Sequence, residues 1–174
     1  MTPNKETGTK FEVWLELLLK RQNYQNVLRN IEFHQSRYLY RQVDLIYTLN
    51  SDLVIVEAKY SSNGPIKNKF RNGPIERKTR NGPIHLNNLI DQVMERQYFV
   101  GGNKSVIVTN SYFHDNLINA AKKYNEIFLI DGQDLTKMWK KLKGHGSINN
   151  SIKNTRITEG DSKADKVSLE MLYK

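Results

Sequence analysis

The sequence predicts an α/β chain built on a mixed β-sheet with helices on its faces. Three observations carry this: an amphipathic run near the N-terminus, two β-rich runs joined by a tight turn, and a later strand, helix, strand succession short enough to be a crossover. The 174 residues bound one compact domain, or one domain with a tail. With 38% hydrophobic residues, among them 6 Phe, 9 Tyr and 2 Trp, the chain can fill an ordinary core, which excludes global disorder. No apolar run reaches the roughly 20 residues a bilayer span requires, and MTPNKETGTK lacks the apolar stretch of a signal peptide. The absence of cysteine excludes disulfides, cysteine-zinc sites and thiol nucleophiles, so the expected compartment is the cytoplasm.

The elements follow in order. Phe11, Trp14, Leu15, Leu18 and Leu19 fall at helical spacing, predicting a helix over Phe11 to Lys20 with Thr9 as its N-cap. Val27 to Phe33 reads as a short strand. Tyr38 to Leu49 and Asp52 to Tyr60 read as a hairpin turning at Asn50-Ser51. Leu89 to Val100 is helical and stops at Gly101-Gly102. Ser105 to Thr109 is a strand of the buried type, Phe113 to Tyr124 a helix with one apolar stripe, and Ile127 to Asp131 a second buried strand, which makes the two strands parallel. Asp131 suits an N-cap before Gly132, and Trp14 and Trp139 suit core packing. From Lys143 the chain turns polar and loses its period, so residues 1–142 read as the domain and 143–174 as a flexible tail, with a docking helix over Val167 to Tyr173.

The charge is uneven. The chain carries 27 basic and 18 acidic residues, a net +9, and residues 60–90 alone hold +5 of it. That excess favours an anionic partner, and nucleic acid over lipid because no segment sets a basic face against a strong apolar one. The same stretch repeats Asn-Gly-Pro-Ile at 63–66, 72–75 and 81–84. Each unit should bend the chain and present Lys67, Lys69, Arg71, Arg77, Lys78 and Arg80 from an insertion over 61–86, either as a grip on DNA or as a tolerated duplication.

The chemistry gathers on the hairpin. A turn at Asn50-Ser51 sets Asp44 across from Glu57, and strand alternation puts Lys59 on the face of Glu57. Opposed carboxylates destabilise a sheet unless a cation lies between them. Two carboxylates with the neighbouring backbone carbonyl of Ala58 suit Mg²⁺ or Mn²⁺. A metal-bound water beside a fixed ammonium is equipment for hydrolysing a phosphodiester. The four histidines have no metal-ligand spacing; His85, beside the basic loop, is the one worth testing.

These residues resemble a known superfamily. Asp44 with Glu57-Ala58-Lys59, preceded by Gly8-Thr-Lys-Phe-Glu12 and followed by a helix carrying Gln92, Val106-Ile-Val-Thr-Asn110 and Leu129-Ile-Asp-Gly132-Gln-Asp-Leu135, is similar to the PD-(D/E)XK nucleases, in their Mrr-like restriction endonuclease branch, over about residues 8–140. The resemblance implies a restriction-endonuclease-like three-layer sandwich and magnesium-dependent cleavage of DNA. It implies Asp44 and Glu57 as metal ligands, Lys59 as the catalytic lysine, and Glu12 and Gln92 as further active-site residues. Val43 stands where the superfamily often has proline, and the repeat is not a family feature. Gln97 competes with Gln92 for the inward helix face. A homodimer would allow cleavage of both strands. The rival reading is an inactive nucleic-acid-binding module or adaptor on the same fold.

Overall fold

A computed structural model describes residues 2–69, 75–79, 82–86 and 88–169, with backbone alone at 75–79 and 82–86. Helix α1 (Pro3–Arg21) leads into β1 (Gln25–His34), β2 (Tyr40–Leu49) and β3 (Asp52–Lys59). Strands β4 (Ile75–Thr79) and β5 (Gly82–Leu86) form a hairpin of their own, followed by α2 (Leu89–Val100) and β6 (Lys104–Thr109). Helix α3 (Asp115–Ala121), β7 (Ile127–Ile130), α4 (Gly132–Lys141), α5 (Ile148–Lys153), a 3₁₀ turn (Glu159–Ser162) and β8 (Asp165–Ser168) complete the described chain.

The main sheet runs β7-β6-β3-β2-β1-β8. Its centre is the expected hairpin: Asn50 and Ser51 both take left-handed backbone (φ 51° and 73°), the conformation a two-residue type I′ turn demands. The turn sets the register Leu49–Asp52 to Leu45–Val56, one pair short of the expected Asp44–Glu57 pair. Strand β6 pairs parallel with both β3 and β7, as the crossover requires.

Helices cover both faces. On one, Phe11, Trp14, Leu15 and Leu18 of α1 pack with Leu135 of α4 and Ile148 and Ile152 of α5 over Leu45, Val54, Val56 and Val106. On the other, Ile90, Val93 and Met94 of α2 and Leu117 of α3 pack over Ile107 and Ile127, while Val100 closes on Ile31, Val43, Ile46 and Ile55. This is the three-layer α/β sandwich with a mixed sheet.

Three expectations need correction. Helix α1 begins at Pro3, not after Thr9: Thr2 caps it, accepting from Lys5 N at 3.3 Å, and proline opens it at its first turn, where no amide partner is needed. Thr9 lies buried inside the helix and donates its hydroxyl to Lys5 O. Residues 148–169 are not a tail. Ile148 and Ile152, four apart, bury against α1, and β8 pairs parallel with β1 from Ile31–Asp165 to His34–Ser168. The docking helix expected over Val167 to Tyr173 gives way to β8 as far as Ser168, and residues 170–174 lie outside the described residues.

The repeat units also diverge. The first is docked on the domain, where Ile66 N donates to Tyr112 O at 2.8 Å and His114 N to Ile66 O at 2.9 Å. Gly64 there takes φ 87°, a turn only glycine adopts freely. The third begins where β4 and β5 reverse direction, between Thr79 and Gly82, and continues along β5 with Pro83 opposite Lys78.

Candidate active site

The charged groups of the site are delivered by four elements: Glu12 by α1, Asp44 by β2, Glu57 and Lys59 by β3, and Arg96 by α2. The β2–β3 ladder ends at Leu45–Val56, and beyond it the Asp44 carboxylate takes the place of a backbone acceptor: its Oδ2 accepts from Ala58 N at 2.8 Å. Asp44 is thereby held between the two strands. Glu57 follows Val56 on β3 and is buried, 8% exposed, with Arg96 Nη1 of α2 donating to its Oε2 at 2.6 Å and Lys59 Nζ 3.1 Å from its Oε1. Glu12, from the middle of α1, completes the cluster, close enough to Asp44 for the two carboxyls to perturb each other.

The electrostatics follow from this crowding. Burial, then the charges of Glu57 and Glu12, push the Asp44 carboxyl well above the usual aspartate range. Burial also raises Glu12, against the pull of its bond to Asp44 and of Arg29. Burial would raise Glu57 too, but Arg96 and Lys59 outweigh it and hold that carboxyl below its ordinary value. The cluster therefore divides into one carboxylate, Glu57, which two cations favour as the anion, and two carboxyls, Asp44 and Glu12, whose ionisation burial opposes.

These donors fit a hard dication. Asp44, Glu57, Glu12 and the Ala58 carbonyl are all oxygen donors, and the three carboxyls are met by two side-chain cations, Lys59 and Arg96, both paired to Glu57. Among the described residues no three Asp, Glu or His side chains close as a ready-made cage. An ion here would rest on one or two carboxylates, with water and substrate completing its shell, as Mg²⁺ prefers.

Gln92 and Lys59 line one cavity of about 540 Å³ together with Tyr60, Ser61, Lys67 and Lys69. The structure thus brings Asp44, Glu57, Lys59 and Glu12 into one cluster and sets Gln92, Lys67 and Lys69 beside it. Gln97 does face inward, 2% exposed, but it accepts from Ser105 Oγ at 2.7 Å and does not line this cavity. Arg77 and Lys78 fall on β4, described in backbone alone, and Arg71 and Arg80 lie outside the described residues, as does the side chain of His85. The residue the sequence reading missed is Arg96, four positions after Gln92 and so on the same helix face.

The cavity wall is preformed. Asn110, at the end of β6, accepts from Ser61 N and donates to Ser61 O, both at 2.8 Å, and Ser111 Oγ donates to Gly64 O at 2.7 Å. A side chain on Gly132 would strike Asn110 O at 2.2 Å, so glycine is what lets α4 start against this clamp.

No curated protein matches the chain. Among solved structures it is similar to AF1548, a protein of unknown function, with a TM-score of 0.60 and 12% identity over 87% of this chain and 72% of that one. It is also similar to protein VC1899 from Vibrio cholerae (TM-score 0.46, 15% identity, 78% of this chain and 33% of that one). Can2 from Sulfobacillus thermosulfidooxidans, solved in complex with cyclic tetra-adenylate, gives a TM-score of 0.40 at 15% identity over 76% of this chain and 34% of that one. The likeness to AF1548 concerns the fold alone. The restriction endonuclease family model matches residues 4–139, most of the chain and every residue of the acidic cluster, so the chain belongs to the Mrr-type restriction endonucleases of the PD-(D/E)XK group.

Proposed function

We propose that the protein is a metal-dependent endodeoxyribonuclease that hydrolyses DNA phosphodiesters, with Asp44, Glu57 and Lys59 at its centre. The observation that carries this reading is the convergence of a buried carboxylate cluster and a half-exposed lysine at the middle of β2 and the end of β3, beside a cavity walled by further lysines. Asp44, Glu57 and the Ala58 carbonyl would hold Mg²⁺ or Mn²⁺. Such an ion acidifies a bound water and offsets charge on the phosphoryl oxygen. Lys59, 41% exposed at its side chain and anchored by Glu57, presents its ammonium where charge develops at phosphorus. Glu12 holds Asp44 in place from α1, and Gln92 lines the approach. Lys67 and Lys69 offer cations to the flanking phosphates, and among the described residues no acidic side chain lines that wall. Arg71, Arg77, Lys78 and Arg80 are the further DNA-binding residues of this reading, taken from the sequence of the repeat.

Incubating the protein with plasmid, linear and branched DNA, with Mg²⁺ and with chelator, tests the reading. Nicking or linearisation of closed circular plasmid that requires the metal supports it. Binding without cleavage of any substrate would turn the assignment to a nucleic-acid-binding module on the same fold.

A further inference from the structure

Arg96 belongs to no motif that identified the site, yet its place is fixed from two sides. Its Nη1 lies 2.6 Å from Glu57 Oε2 while Lys59 holds the other oxygen, so both oxygens of this carboxylate are engaged by the protein's own cations. The helix carrying it is pinned one residue earlier. Glu95 accepts from Arg41 Nε at 2.7 and 2.9 Å, both side chains are buried, and the Arg41 guanidinium lies 4.5 Å from the centre of the Phe99 ring. Helix α2 cannot turn without breaking that pair, so Arg96 stays over Glu57.

We propose that Arg96 is a positioning residue that stands in for the metal ion: in the metal-free protein its guanidinium holds Glu57, and a dication entering the site must displace it. The inference rests on reading Asp44 and Glu57 as metal ligands. Two effects of Arg96 on metal binding oppose each other. By holding Glu57 it spares the carboxylate some ordering on metal entry, but Glu57 is already confined by burial and by Lys59, so little ordering is left to spare. Its charge, within ion-pair reach of the site and three-quarters withdrawn from solvent, repels a dication where screening is weak. Repulsion is the larger effect, and Arg96 therefore weakens metal affinity while stabilising the empty site.

Titration calorimetry with Mn²⁺ on the full chain, without DNA, tests this in wild type, Arg96→Gln and Arg96→Lys, alongside thermal melts in chelator. Arg96→Gln is expected to bind Mn²⁺ about tenfold tighter than wild type and to melt lower in chelator, with the loss recovered by Mn²⁺. Arg96→Lys, which keeps the charge, is expected to return the affinity to near wild type. Arg96→Met retains the aliphatic packing and carries the same expectation as Arg96→Gln should the latter misfold. Equal or weaker Mn²⁺ affinity in the neutral variants overturns the inference and leaves the metal site standing. Absence of Mn²⁺ binding in wild type and all variants overturns the metal reading, and this inference with it.

Discussion

At residues 95 and 96, helix α2 offers opposite charges to two neighbouring strands. Glu95 meets Arg41 of β2 in a sealed pair, one anion against one cation, with both partners withdrawn from solvent. Arg96 meets Glu57 of β3 in a cluster of three carboxylates and two cations, where burial and the neighbouring carboxylates push the Asp44 carboxyl well above its usual range. The first pair leaves no charge over. The second leaves a surplus of carboxylate oxygen that only a proton or a metal ion satisfies. A matched pair locks structure, and a mismatched one keeps a place open for a ligand.

The sharpest way to break this comparison is to remove one group from each site. Glu57→Ala and Lys59→Ala should each lower plasmid cleavage by at least about 10²–10³-fold, with DNA affinity by gel shift nearly unchanged, because affinity arises mainly at phosphates elsewhere. Wild-type cleavage by either variant would remove the cluster from the chemistry. Arg41→Ala should leave an uncompensated buried carboxylate and cost about 3–5 kcal/mol in urea unfolding. Arg41→Met combined with Glu95→Leu should recover most of that loss. If the double variant is no more stable than the single one, the pair is more than a lock.

A smaller effect concerns acid and base. The Asp44 carboxyl keeps its proton to higher pH in the folded chain than in the unfolded one, so its contribution to stability is present at low pH and is lost as pH rises through its raised value. Asp44→Asn carries no such charge and keeps an oxygen for Ala58 N. In metal-free buffer its melting temperature relative to wild type should therefore climb with pH, reflecting up to about 1 kcal/mol of relieved repulsion. A difference that stays flat with pH would mean Asp44 is compensated as fully as Glu95. The smallest effect lies outside both sites: neutralising Lys67 and Lys69 together should reduce the slope of log affinity against log salt by about 2. An unchanged slope would remove these two lysines from the DNA path.

Most of the site was legible because it depends on strand register. Asn50-Ser51 sets the turn, the turn sets Leu45 against Val56, and period-two alternation does the rest. The helix-borne partner was harder to see. Gln92 and Arg96 share a face by their spacing of four, but a helix with several polar positions does not show which one reaches the sheet until its roll is known. That roll is set by Arg41, distant in sequence. The C-terminal segment escaped for a different reason. Its helix α5 has six residues and two apolar contacts, Ile148 and Ile152, too short for a period to emerge from surrounding Ser and Asn. The onset of α1 was present in Thr2-Pro3, a cap followed by a first-turn proline, and the apolar stripe beginning at Phe11 drew attention away from it.

The placing of β8 beside β1 bears on the order in which the molecule assembles. Acidic cluster and helix α2 draw on residues 12 to 96, whereas the ladder from Ile31 to Asp165 ties together positions that are remote along the chain. Closing so long a loop is entropically costly and gains only four paired residues, so this edge should be among the last parts to form and the first to open. Backbone amides of β8 would then exchange with deuterated solvent well before those of β3. A nascent or partly unfolded chain would already hold its chemistry together while leaving the β1 edge bare, open to pairing with another strand until the C-terminal segment arrives.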